Sequence, residues 1–340
     1  MFRPLLLGLS AFLLAIGSGG SAQARDRIEI VGSTIVGPFS SLVSERFARR
    51  TEFSAPRVQQ TGSGGGFSLF CAGVGQQHPD IVGASRRIGE AELAICKQNG
   101  VRNITEIKIG YKAIVLATDK TSADFGLTRQ QIFAAIAKNV EAEGKVVTNP
   151  YSSWHEIDAS LPKRDIAFLA PAAGAELHDA LVQDILWPAC GKFPGIAAMK
   201  GREKDRACSL VRTDGRFQGF RENDPDLFTL LTGKPGTVGV LRFSTLLTEE
   251  GAIKPLAIDG VVPTVETIAS GTYPPSRTLY LYTKNKHYDT VPGFLEFINE
   301  YTSEGAWGPD GYLVDAGLVP MSDTERSAQR SNAIGLNPMW

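Results

Sequence analysis

Hydrophobic and polar positions along the chain alternate between the period-two pattern of strands and the 3.6-residue stripe of amphipathic helices. Arg27–Val31 (RIEIV) predicts a strand and Gly32-Ser33-Thr34 a turn. Pro38 suits the first position of a helix whose apolar stripe is Phe39, Leu42, Val43 and Phe47. A second strand is expected near Arg57–Gln60, then a glycine-rich turn, Gly62-Ser63-Gly64-Gly65-Gly66, and a short helix through Phe67–Ala72. Asp80–Val82 predicts a third strand that runs into Gly83-Ala84-Ser85-Arg86-Arg87, and Glu90–Asn99 a helix closed by Gly100. Strands alternating with helices imply an α/β fold with a largely parallel sheet.

Two long extended runs break this rhythm. Ile107–Thr118 (IKIGYKAIVLAT) is suited to leaving one lobe and entering another, and Arg277–Thr283 (RTLYLYT) to crossing back. Between them, Thr128 is placed to cap a helix carrying Ile132, Phe133 and Ile136. Ile166–Ala170 predicts a strand, Ala175–Leu186 a helix, Asp226–Leu231 and Arg242–Leu247 helices around the strand Val238–Leu241, and Pro263–Ala269 a helix stopped by Gly271. Val291–Thr302 is expected to form a helix packing back on the first lobe, and the polar tail from Ser322 to be helical at best. The expected organisation is residues 25–117 plus 279–340 as lobe 1 and 118–278 as lobe 2.

The first 24 residues read as a secretory signal peptide. A positive start, an apolar stretch from Leu5 to Ile16 and the small-residue site Ala22-Gln23-Ala24 are its three parts. The stretch is too short for a stable transmembrane anchor. No cysteine lies near the cleavage site to accept a lipid, so the mature chain is expected to begin at Arg25, free in the periplasm. The net charge of -1 argues against a nucleic-acid partner, which needs a basic face. Export makes disulfides the expected state of the four cysteines. Three pairings are possible; Cys71–Cys96 and Cys190–Cys208 are preferred, each being close in sequence and inside one lobe. No C-x-x-C spacing occurs and His78, His155, His178 and His287 are scattered, so no metal site or cofactor is expected. Trp154, Trp187 and Trp307 are read as core or hinge packing.

The candidate chemistry lies in three turns that each follow a strand and precede a helix: Gly32-Ser33-Thr34, Gly62-Ser63-Gly64 and Ala84-Ser85-Arg86. In a parallel sheet they project from one carboxyl edge, where ligands bind. Helix N-termini offer unpaired N–H groups and a positive dipole end, so converging turns with the hydroxyls of Ser33, Thr34 and Ser63 would form a cup for an anion. Arg86 could add a bidentate contact; Arg87 is read as a surface or ion-pair residue. The glycine run fits neither G-x-G-x-x-G nor the P-loop, and no G-x-S-x-G elbow or other catalytic set stands out.

At these residues the chain resembles the periplasmic phosphate-binding proteins of Pst-type ABC transporters. The resemblance covers nearly all of the mature chain. It is carried by VGSTIVGPF from Val31, QTGSGGG from Gln60, PDIVGASRRI from Pro79, IGYKAIVLAT from Ile109 and AIDGVVPTVETIASGTYPPSRTLYLYTK from Ala257. RTDG from Arg212, END from Glu222 and TSEGAWGPDGYLVDAGLVP from Thr302 complete it. The resemblance implies a periplasmic binding protein-like fold, type II-like, with two α/β lobes joined by two crossing strands. It implies a monomer that binds inorganic phosphate or a related oxyanion in the cleft, delivers it to an ABC permease in the inner membrane, and catalyses nothing. Implied ligand contacts are Ser33, Thr34, Val36, Gly37, Ser63, Gly64 and Arg86, with Asn223 reaching the cleft.

Two departures stand out. Well-studied members carry an aspartate where this chain has Arg86, and there it accepts the proton of the bound phosphate; arginine can only donate. In the second lobe, Ala175, Glu176 and Leu177 replace the family's Ser-Gly-Thr, which sets a carboxylate near the expected anion at a cost of several kcal/mol unless it is turned away or neutralised. The second lobe then binds through backbone N–H groups alone, or the ligand differs, or affinity is weak. His178 beside it is expected on the surface. The alternatives are a divergent sensor or scavenger with a different or lost ligand, and an exported phosphatase.

Overall fold

In a computed structural model the chain is described for residues 25–221 and 225–339. Eleven strands carry the architecture: β1 (Glu29–Gly32), β2 (Arg57–Gln60), β3 (Ile81–Ala84), β4 (Ile104–Asp119), β5 (Asn139–Ala142), β6 (Lys145–Thr148), β7 (Phe168–Pro171), β8 (Phe217–Phe220), β9 (Val238–Arg242), β10 (Ile253–Pro255) and β11 (Ser276–Lys284). One mixed sheet runs in the order β2-β1-β3-β11-β4-β9-β7-β8, with β10 also on β4. β2, β1 and β3 are mutually parallel, as are β9, β7 and β8, while β11 and β4 run antiparallel to their neighbours.

The two extended runs are the long strands β4 and β11, and they join the halves. Ile104 to Ala113 of β4 pairs with β11, and β11 in turn lies against β3. Further on, Ile114–Ala117 pairs with β9 and Ala117–Asp119 with β10. Nearly every residue of β4 is buried, which is why it reads as a continuous apolar run rather than an alternating one. The ladder between β4 and β11 shifts register at Leu279/Tyr280, so that Ile109 is the extra residue of a bulge.

Several local signals act as expected. Pro38 lies in the first turn of the helix Gly37–Arg50, and Thr128 accepts from the Gln131 N–H at 3.1 Å while Gln131 returns a bond to the Thr128 N–H. Gly100 follows the helix Glu90–Gln98 at φ +74°. The helix Phe294–Tyr301 packs on Gly37–Arg50 through an edge-to-face pair of Phe47 and Phe297 at 5.5 Å and a bond between the Ser40 and Tyr301 hydroxyls at 3.2 Å. The disulfides are Cys71–Cys96 and Cys190–Cys208. The first staples a satellite core of Phe67, Phe70, Val101, Ile104 and Tyr282.

Other expectations are corrected. Gly62 to Gly66 is no free turn: it forms the first turns of a helix, Gly62–Phe70. Glycine disfavours helix, but here close approach decides. A Cβ on Gly66 would fall 2.5 Å from the Gly32 Cα and 2.8 Å from Val82 Cγ2, so only glycine lets this helix lie on β1 and β3. Trp154 and Trp307 are fully buried, but Trp187 is 38% exposed and does not pack as core. The polar tail is helical, in keeping with its reading, over Asp323–Ile334, and it docks on β4. There Glu325 takes Lys108 and Tyr111, Gln329 accepts from the Lys108 N–H at 2.8 Å, and Asn332 donates to the Glu106 carbonyl at 2.6 Å. The hairpin of β5 and β6 and the edge strand β8 are additional to the elements read from sequence.

Candidate functional site

The three first-half turns do meet at the carboxyl ends of β1, β2 and β3. The Ser33 N–H donates to the Gly83 carbonyl at 2.8 Å, its hydroxyl accepts from the Ile35 N–H at 3.1 Å, and its carbonyl takes the Gly37 N–H at 2.9 Å. Ser33 and Val36 are buried, and the Val36 side chain fills the space over Gly83. Both therefore tie the β1 turn to β3. Gly37 is buried against the Gln60 side chain, and Thr34 is exposed. The Ser63 hydroxyl bridges to the Ser85 N–H at 3.2 Å and the Ser85 hydroxyl at 3.3 Å, and Gly64 borders Arg86.

Arg86 makes the bidentate contact its geometry favours, but to Glu92, at 2.8 and 2.6 Å. Glu92 also accepts from the Gly89 N–H at 2.8 Å at the start of its helix. The shared hydrogen bond raises the Arg86 pKa and lowers that of Glu92. The guanidinium lies over the Phe67 ring, 5.2 Å from its centroid. In this arrangement the fork expected to contact the anion is engaged by Glu92.

A cavity of about 330 Å³ opens beside these turns. One wall is Thr34, Ile35, Pro38 and Gln60, from the β1 and β2 ends. The opposite wall is Glu176, Asp179, Gln183 and Asp184, from a helical segment that starts as the α-helix Glu176–Leu181 and widens to a π-turn over Val182–Leu186. The spacing of those four residues puts them on one helical face. Lys112 of β4 and Arg277 of β11 form the floor, and they are directly opposed in the strand register. Each is met by a carboxylate: Lys112 pairs with Glu176, and Arg277 donates from Nε to Asp184 Oδ1 at 2.7 Å. Burial pushes the Asp184 carboxyl above its ordinary pKa, with the Arg277 hydrogen bond and charge pulling the other way. Lys112 also lies 5.5 Å from the centroid of the Phe39 ring.

Of the expected contacts, Thr34 lines this cavity; Ser33, Val36, Gly37, Ser63, Gly64 and Arg86 lie in the adjoining turns, and Asn223 falls outside the described residues. Glu176 does sit on the cleft wall, but with Lys112 as counter-ion. His178 is not a surface residue: it is 6% exposed, with Nδ1 3.0 Å from the Pro171 carbonyl and its ring edge-on to Phe217. The helix turns position 178 inward, two residues past the half-buried Glu176 on the cleft face. Lys112 and Arg277 were missed by sequence reasoning. Their signal was present, since each is a charged residue inside a long run that otherwise reads as buried strand.

Two lobes built on parallel strand triplets, joined by two long strands that floor a cleft, define the two-lobed binding-protein class. The chain belongs to the PBP superfamily, whose domain matches residues 17–304. It is 26% identical to Protein SphX of Synechococcus elongatus over 326 residues, covering 93% of this chain and 84% of that one. It is 24% identical to the phosphate-binding protein PstS of Staphylococcus saprophyticus over 341 residues, covering 97% and 92%. The fold is similar to that of a possible phosphate binding protein from Planctomyces limnophilus, with a TM-score of 0.69 at 22% identity over 91% of this chain and 98% of that one. An ABC-type phosphate transport receptor from Vibrio cholerae shares it at a TM-score of 0.56 and 20% identity, over 87% and 99%.

Proposed function

We propose that this chain is an extracytoplasmic solute-binding protein that captures an oxyanion, inorganic phosphate, and hands it to an ABC permease in the inner membrane. The observation that carries the reading is the near full-length match to a relative named for phosphate binding, which covers 97% of this chain. The cleft is consistent with it: two cations lie at its floor, and the turn at Thr34 lies along the rim of parallel strands, where helix N-termini attract anions. The acidic wall is no obstacle of the size the sequence suggested, because Glu176 and Asp184 are each matched by a cation.

In this reading residues 25–117 with 279–340 form one lobe and 118–278 the other. The mature protein begins at Arg25 in the periplasm, without a lipid anchor, and acts as a monomer. Ligand shifts the lobes toward the closed form because the anion gains contacts from both walls only there. Nothing is chemically transformed. Calorimetry on the purified mature protein tests this: one phosphate per chain with a Kd in the micromolar range or below, and weaker binding of sulfate. A parallel colorimetric assay should show no phosphate-ester hydrolysis. Absence of phosphate binding at millimolar concentration, or turnover of a phosphate ester, would overturn the reading.

A further inference from the structure

We infer that Lys112 and Arg277, rather than Arg86, are the cationic contacts of the bound oxyanion, and that Glu176 is a counter-ion which the arriving anion displaces. This rests on the oxyanion reading of the cleft and specifies how the cleft fulfils it. Arg86 is committed elsewhere: Glu92 accepts from both terminal nitrogens of its guanidinium, and Arg86 is absent from the cavity lining.

Lys112 and Arg277 face each other across β4 and β11 in register. Like charges directly opposed on neighbouring strands destabilise a sheet, and apolar residues would serve these buried crossing strands better. Two opposed cations on the floor of a cleft are therefore placed for something that carries negative charge. In the described structure that role falls to carboxylates from the facing helical wall, and the two carboxylates differ.

Asp184 is 13% exposed and uses one oxygen, Oδ1, for both Nε and Nη2 of Arg277. Arg277 Nη1 donates to no acceptor among the described residues. The fork thus keeps an unused edge while Asp184 fixes its orientation. Glu176 is 30% exposed, at the first position of its helix, and among the described residues its carboxylate pairs with Lys112. Its partial exposure lets it turn toward solvent as an arriving anion takes over the pairing with the ammonium, the anion lying between Lys112 and the Arg277 edge. A singly charged anion then replaces one carboxylate with the floor still neutral, and a doubly charged one leaves a single negative charge in excess.

Calorimetry with inorganic phosphate on the mature protein tests the assignment. Lys112→Gln and Arg277→Gln are each expected to weaken binding by about tenfold or more, the loss of a charge-assisted hydrogen bond. Glu176→Gln should tighten it severalfold, a gain that a misfolded variant cannot produce, and Arg86→Gln should leave it within about twofold of wild type. The double variant Lys112→Gln/Glu176→Gln separates two roles. If Lys112 binds the anion, the double variant stays as weak as Lys112→Gln. Recovery of wild-type affinity would mean that Lys112 merely neutralises Glu176, and would overturn the proposal. So would a loss confined to Arg86→Gln while wild type binds phosphate. Wild type failing to bind phosphate at all would overturn the underlying function as well.

Discussion

Lys284, at the far end of β11, offers the sharpest prediction about stability. It is 1% exposed, donates to the Gly73 carbonyl at 2.7 Å and lies 4.8 Å from the centroid of the Phe70 ring. Burial depresses its pKa from the ordinary 10.5 to about 7; the Asp80 charge opposes this and Arg25 adds to it. Between those values the unfolded chain holds a proton that the folded chain has released, so stability rises with pH across the window from about 7 to 10.5. The destabilising contribution is complete below pH 7 and gone above 10.5. At about 1.4 kcal/mol per pH unit, its ceiling is on the order of 5 kcal/mol, reduced by the hydrogen bond to Gly73. Lys284→Met removes the titration, and urea denaturation of both proteins from pH 6 to 10 measures it. The difference in unfolding free energy should favour the methionine variant at pH 6 and shrink steadily toward pH 10. His78, held below its ordinary value by burial and the nearby charges, titrates beneath this window. Parallel stability curves for the two proteins would refute the argument.

Two further outcomes follow from packing and cross-linking. Gly66→Ala should destabilise by about 1–3 kcal/mol, because the added methyl strikes the β1 backbone, and it should lower the thermal midpoint; an unchanged midpoint would show that the helix can lift off β1 without cost. Replacing Cys190 and Cys208 together with alanine should cost about 2–4 kcal/mol in chemical denaturation, and no loss would mean that this segment is already ordered without its bridge.

Much of this was readable from the chain. Pro38, Thr128 and Gly100 act through chemistry confined to a few neighbouring residues, and the long apolar runs of β4 and β11 advertise burial on both faces. What escaped depends on contacts distant in sequence. The Gly62–Gly66 run reads as a turn by propensity and becomes helix only because β1 lies against it. Arg86 reads as an open fork until the loop brings Glu92 to it, six residues on and outside any helical period. Lys112 and Arg277 lie 165 positions apart, so nothing local marks them as a pair; only the strand register opposes them. Position 178 is turned inward by its helical phase, and Trp187 outward, where a count of aromatic residues gives no direction.

The bulge at Ile109 is pinned on both flanks by the C-terminal segment. On one side of it, Glu106 and Lys108 are strapped down by the terminal helix through Asn332, Gln329 and Glu325. On the other side Glu325 also takes the Tyr111 hydroxyl at 3.0 Å, the Tyr111 and Val319 backbones exchange hydrogen bonds at 2.9 and 2.8 Å, and Lys112 is the next residue. The cleft-floor lysine is thus mounted beside a clamp, its strand registered against the C-terminal segment on both flanks of the bulge. Unpinning the terminal helix is therefore expected to disturb Lys112, although that helix contributes no residue to the cavity wall.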